Sequence, residues 1–256
     1  MRELAGSGVP PVDLGPVIAE QPYPLLFATV SGAHLYGFPS QDSDVDLRGV
    51  HLLPAEALLG LREPEETRSR MWVRDGVEMD LVTHDLRKFV RLMLRRNGYV
   101  LEQLLSPLVV HTSPAHAELA ALAPAVLTSN HAHHYRGFAN TQARLFDKTG
   151  ELKPLLYAFR VLLTGVHLMR SGQVVADLPT LIASLDAPGY LPDLIGAKAS
   201  AEHGAADVDR VRVAADLEAL HVVLDAAQDA SALPAEPDPS AYDALHDFVI
   251  RVRLGK

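Results

Sequence analysis

The sequence predicts an α+β protein, with a mixed α/β part over residues 1–112 and a helical part over residues 113–256. Three observations carry this. Short apolar runs containing β-branched residues and bounded by turn residues fall in the first part. Asp75-Gly76 sits between two such runs, as in a two-residue hairpin. Beyond about residue 112 the runs give way to long segments with apolar residues at helical spacing, separated by Pro, Gly and Ser clusters.

Taken in order, Leu25 to Ser31 (LLFATVS) reads as a buried strand ending at Gly32, and Val45 to Leu53 as a second strand stopped by Pro54. Met71 to Arg74 and Val77 to Thr83 are the arms of the hairpin. Asp85 is placed to cap a helix in which Leu86, Phe89, Val90, Met93 and Leu94 form one stripe. Arg87, Arg91 and Arg95 fall on the other side. Helices are expected over 114–123, 130–146, 151–171, 190–202, 207–229 and 240–253. Ser231 to Ser240 (SALPAEPDPS) forms a Pro-rich connector before the last of them. Within 151–171, Leu155, Leu156, Phe159, Leu163 and Val166 read as core.

The 256 residues include 32 acids against 23 Lys and Arg, a net charge of −9, with 12 His and no Cys. Lacking cysteine, the chain has no disulfides, thiolate zinc sites, iron–sulfur clusters or Cys nucleophile. The acidic balance argues against nonspecific coating of nucleic acid. The charge is uneven, however: residues 201–240 carry a net −7, whereas Arg87, Lys88, Arg91, Arg95 and Arg96 form a basic cluster that reads first as the solvated face of the helix. No apolar run approaches the ~20 residues of a membrane span and no signal-peptide core precedes Pro11, so a cytoplasmic location without membrane partners is expected. There is neither a Walker A loop nor a Gly-x-Ser-x-Gly elbow.

One segment stands apart: Thr29 to Val50, TVSGAHLYGFPSQDSDVDLRGV. A strand ends at Gly32, a glycine-containing turn follows, and the next strand opens with Asp44-Val45-Asp46. Residues two apart on a strand share a face, so both carboxylates point one way. Side by side they repel unless cations neutralise them, and hard oxygen ligands suit Mg²⁺. Backbone N–H groups at Ser31, Gly32 and Ala33 are placed to meet phosphates. Asp80 is the candidate third carboxylate, because it is the only Asp in a strand-like apolar run, with Glu78 on the same face in reserve. Arg48 shares the face of Asp44 and Asp46, either as a salt-bridge partner or as a substrate contact. Asn97 and Glu102, near a helix junction, read as capping or structural groups.

The set of Gly32-Ala33, Asp44-Val45-Asp46 and Asp80 resembles the DNA polymerase beta-type nucleotidyltransferase superfamily. Within it, Gly32 to Gly37 (GAHLYG), Ser43 to Gly49 (SDVDLRG), Asp85 to Phe89, Asn97, Leu101-Glu102 and Lys153…Tyr157…Arg160 resemble the predicted nucleotidyltransferases of the RNA ligase-associated (RlaP/YcgL-like) family. The resemblance implies transfer of NMP from a nucleoside triphosphate to a hydroxyl acceptor, an RNA end among the candidates, with release of pyrophosphate. It further implies two Mg²⁺ or Mn²⁺ ions held by Asp44, Asp46 and Asp80, and Asp80 helping to deprotonate the acceptor. Ser31, Gly32 and Ala33 would hold the triphosphate, while Lys153, Tyr157 and Arg160, recurring on one helix face, would contact nucleotide as the helical domain closes over it. The chain departs from the superfamily in one respect, having Gly32-Ala33 where Gly-Ser is usual. That departure keeps open the alternative of a catalytically silent nucleotide-binding regulatory module; an antitoxin-like partner protein is a further alternative.

Overall fold

The computed structural model describes residues 8–199 and 206–256. In chain order its elements are α1 (Gly15–Ala19), β1 (Leu25–Val30), α2 (Gly32–Tyr36), β2 (Val45–His51), α3 (Ala55–Leu59), β3 (Thr67–Arg74), β4 (Val77–Asp85), α4 (Leu86–Leu94), α5 (Gly98–Leu104), β5 (Val109–His111), α6 (Pro114–Leu122), α7 (Ala132–Thr149), α8 (Leu152–Ser171), α9 (Leu178–Ser184), α10 (Leu191–Lys198), α11 (Arg210–Asp229) and α12 (Pro239–Arg253). The α+β class expected from the sequence is what the chain adopts.

The chain divides into two compact units. One runs to Leu35 and adds Asp44–Val126 and Pro237–Lys256; the other is Tyr36–Ser43 with Leu127–Glu236. This division is interleaved, whereas a cut after residue 112 is sequential. The first unit takes back α6 and the last helix because α12 packs on α4 and α6. Its C-terminal Arg253 donates to both carboxylate oxygens of Asp85 at 2.9 Å, with Asp85 fully buried. Asp85 also caps α4 as expected, accepting from the Arg87 N–H.

The first unit is built on one five-stranded mixed sheet in the order β3-β4-β2-β1-β5. β1 runs antiparallel to β2 and β5, β2 parallel to β4, and β3 antiparallel to β4. Asp75 and Gly76 both take positive φ, 51° and 80°, the geometry of the two-residue turn that the sequence signals. The ladder puts Val45, Leu47 and Gly49 beside Met79, Leu81 and Thr83 on the buried face. Asp46 and Arg48 lie beside Asp80 and Val82 on the other. β3 begins at Thr67, four residues before the expected Met71, because TRSRMWVR has no apolar-in, polar-out alternation and its pairing with β4 alone makes it a strand. The turn after β1 is itself a short helix, α2.

In the second unit α7 and α8 pack along one another and α11 lies against α8. Among the described residues, α8 is long and apolar enough to cross a membrane by length and composition, contrary to the reading that no run approaches that length. Its most apolar window is 83% buried inside the fold, including all five residues read as core. Around Tyr36 and Phe38 an aromatic cluster forms: both rings meet Tyr157 edge-on, and the Arg160 guanidinium stacks 3.7 Å from the Tyr36 ring centre. The loop ending at Ser43 is tied to α10 by fully buried Lys198, whose Nζ donates to Ser40 Oγ at 2.9 Å.

Candidate functional site

The carboxylate face of the first unit is assembled by strand pairing. Asp46 on β2 and Asp80 on β4 occupy matched positions of a parallel ladder, which brings two residues 34 apart in sequence onto one face as neighbours. Their side chains are 16% and 20% exposed, so the pair is largely withdrawn from water yet open at one side. Like charges at this spacing need a counter-charge.

Arg48 supplies it. Two residues beyond Asp46, it points to the same face by strand alternation. Its Nη2 donates to Asp46 Oδ1 at 2.5 Å and to Asp80 Oδ2 at 2.8 Å. Nη1 donates to the carbonyls of Leu47 and Asp80, at 2.9 and 2.8 Å, and Nε to the Tyr99 hydroxyl at 3.1 Å. Burial acts to lower the guanidinium pKa, but Tyr99, Asp46 and Asp80 outweigh it and hold Arg48 above its ordinary value. Of the two roles open to Arg48, the structure shows the salt-bridge partner, and of both aspartates. Tyr99 is placed by α5, whose N-terminus is capped by the Asn97 side chain accepting from the Tyr99 N–H at 3.0 Å, the capping role expected of Asn97. Sequence reasoning missed Tyr99. The available signal was its place two residues after a capping Asn at the start of a helix.

Gly32 closes the site from the end of β1. It has φ +60°, and a Cβ built on it would stand 1.8 Å from Asp46 Oδ2. Positive φ and the approach of the carboxylate both demand glycine. The adjacent Ser31 N–H donates to the Asp46 carbonyl at 2.8 Å, locking the end of β1 to β2. Ser31 and Ala33 are buried, and Ser31 Oγ has no hydrogen-bond partner among the described residues.

The structure therefore brings together Ser31, Gly32, Asp46 and Asp80, with Arg48 and Tyr99 added. Asp44 stands half-buried just before β2, and Glu78 is exposed on β4. Among the described residues no three His, Cys, Asp or Glu side chains are grouped as a metal would require, so the expected triad of carboxylates is an Asp46–Asp80 pair bridged by arginine. The physical reason is that alternation delivers Arg48 to the same face as the acids. The chemistry of the donor set, carboxylate oxygens only, nevertheless fits a hard divalent cation at the pair.

The other expected nucleotide contacts lie in the second unit. Lys153 and Tyr157 are half-buried on α8. Arg160 is 1% exposed beneath Tyr36, so it holds the aromatic cluster instead of presenting a cation to solvent. The basic face of α4 is partly neutralised from within the unit, since Arg87 and Arg91 pair with Glu66 at 2.9 and 3.6 Å.

Comparison with known proteins bears on this arrangement. The sequence pattern of RlaP, the RNA repair pathway DNA polymerase beta family, matches residues 11–251. An uncharacterized protein of Methanocaldococcus jannaschii is 32% identical over 158 residues, which is 59% of this chain and 63% of that protein. The uncharacterized protein YcgL of Bacillus subtilis is 27% identical over 156 residues, 59% of this chain and 58% of that one. The matched segments thus span less than two thirds of these relatives' own length. The crystal structure of a nucleotidyltransferase-like protein from Exiguobacterium sibiricum aligns over 95% of this chain and 78% of its own, with 11% identity and a TM-score of 0.32.

Proposed function

The chain belongs to the RNA repair pathway DNA polymerase beta family, and on that premise we propose that it transfers a nucleotidyl group from a nucleoside triphosphate to a hydroxyl of an acceptor, an RNA end. The observation that carries the proposal is the pairing of Asp46 with Asp80 on adjacent parallel strands, with Gly32 packed against the Asp46 carboxylate. In this reading the bond between the α-phosphorus and the bridging oxygen breaks, pyrophosphate leaves, and the acceptor oxygen takes its place.

Asp46 and Asp80 would hold Mg²⁺ or Mn²⁺, which would supply charge neutralisation at the phosphates and lower the pKa of the acceptor hydroxyl. Asp80 receives the proton of that hydroxyl. Arg48 keeps the two carboxylates parallel and Tyr99 keeps Arg48 in place. The turn from Ser31 to Ala33 is the triphosphate side of the site. Support comes from the family and from the geometry of the pair.

The test is transfer of label from each α-³²P-labelled nucleoside triphosphate to RNA oligonucleotides with Mg²⁺ or Mn²⁺, comparing wild type with Asp46→Asn and Asp80→Asn. Each variant is expected to lose at least about 10²-fold in rate while melting as a folded protein. Equal labelling by wild type and both variants refutes the assignment. A second reading, nucleotide binding without transfer, is favoured by Arg48 spanning both carboxylates and by Ala33 in the turn. Nucleotide binding in calorimetry with no labelled RNA selects it.

A further inference from the structure

The face of the edge hairpin opposite the carboxylates carries a second set of chemistry that the proposed reaction does not use. Along β3, strand alternation puts Arg68, Arg70, Trp72 and Arg74 on the side shared with Met79 and Leu81, away from Asp80. Arg70 stacks over Trp72, with its Cζ 4.5 Å from the ring centre, and Arg68 lies over Tyr23 at 5.6 Å. A cleft of about 380 Å³ opens here between Glu20–Pro22 and Arg68–Arg70, floored by Leu81.

We propose that this cleft and the Arg–Trp row beside it bind an unpaired polynucleotide strand, with phosphates on Arg68, Arg70 and Arg74 and bases on the Trp72 stack, the Tyr23 ring being already stacked on His51. The side chains of alternate residues on a strand recur roughly every 6.8 Å, a spacing comparable with that of successive phosphates along an extended strand. Arginines interleaved with aromatics are what single-strand recognition uses, because the guanidinium plane takes both a phosphate and a base face. An acidic peptide would use the cations but has no need of the rings.

Two acids line the cleft, Glu20 and the exposed Glu65, and neither closes it. Glu20 meets Arg70 and Arg74 at 3.6 Å each and is about half exposed, and such long, solvated pairs are worth at most about 1 kcal/mol. A strand phosphate therefore competes with it. The bland alternative is that a basic row merely blunts an edge strand against pairing with other chains. That role needs neither the stacked rings nor the cleft.

Trp72 is the only tryptophan in the chain, so intrinsic fluorescence reports on this surface directly. The experiment titrates unstructured 12-nucleotide RNA and DNA oligomers into the full chain without nucleotide or divalent metal, following Trp72 emission and, separately, anisotropy of labelled oligomer. Its outcome is thus independent of whether the protein transfers nucleotides. Saturable quenching is expected, with log K falling against log salt at a slope of about −2 for three phosphate contacts. Preference between the two oligomers names the natural strand. Arg68→Ala with Arg70→Ala should weaken anisotropy-detected binding at least about tenfold, at an unchanged melting temperature. If the double variant melts early, Arg70→Ala alone takes its place, since that side chain is 54% exposed. Absence of quenching, unchanged affinity in the variant, or equal quenching by inorganic polyphosphate each overturns the proposal.

Discussion

Arg48→Met removes one cation from between two acids and keeps an unbranched apolar stem in place of the arginine methylenes. The wild-type guanidinium makes two charge-assisted bonds, to Asp46 and Asp80, two bonds to carbonyls and one to Tyr99, with 10% of its side chain exposed. Removing it leaves two carboxylates on adjacent strands, about 5 Å apart at Cβ. At an effective dielectric of about 20 their repulsion alone is about 3 kcal/mol. Lost hydrogen bonds add to this, while retained methylene packing and water entering the open side subtract from it. The expected destabilisation is therefore about 3–5 kcal/mol, the range seen when one partner of a buried pair is removed. Urea unfolding followed by Trp72 fluorescence at pH 7 with EDTA measures it. Mg²⁺ should then restore part of the loss: at tenfold its dissociation constant, linkage gives about 1.4 kcal/mol. Wild type should respond less, because Arg48 competes for the same oxygens. A loss below about 1 kcal/mol would show that Arg48 is not the counter-ion of the pair. Recovery equal in the two proteins would show that the pair is not where the cation binds.

Gly32→Ala is expected to abolish nucleotidyl transfer and to destabilise the first unit by at least about 1–3 kcal/mol, since its Cβ falls 1.8 Å from Asp46 Oδ2 at a backbone with φ +60°. Wild-type transfer rate and melting temperature in that variant would contradict the packing described. For pH, burial is the main cause that lowers both His51 and His84 to about 4 from an ordinary 6.5. Below pH 6.5 the unfolded chain takes up protons that the folded one refuses, so their contribution is complete above 6.5 and lost as pH falls towards 4. Between pH 7 and 5 this amounts to about 2 kcal/mol for fully buried His51, and somewhat less for half-buried His84. Urea midpoints at the two pH values check it, and a combined loss under about 1 kcal/mol would mean that these histidines ionise freely in the folded state.

Much of the first unit was legible locally. β1, the hairpin turn, the Asp85 cap and the amphipathic α4 each follow from residues within a few positions of one another. So does the common face of Asp46 and Arg48, because period-2 alternation is a property of a single strand. Elements whose stability comes from distant partners were not legible: the first half of β3, Thr67 to Arg70, reads as solvated until β4 pairs with it, and β5 and α5 gain their places from β1 and Arg48. The last helix looked like part of the helical region, yet the Arg253–Asp85 pair, 168 residues apart, returns it to the sheet unit.

By itself the sequence determined the α+β class, the position of the glycine turn, and Asp44, Asp46 and Asp80 as the acids worth watching. Those are consequences of composition, spacing and local backbone preference. Only the tertiary structure decided that Asp46 and Asp80 are neighbours, that Arg48 lies across both, that Tyr99 steadies it, and that Arg160 is sealed beneath an aromatic ring. Register between strands and the packing of side chains from remote segments set these contacts. Neither is encoded in any window of the chain short enough to read alone.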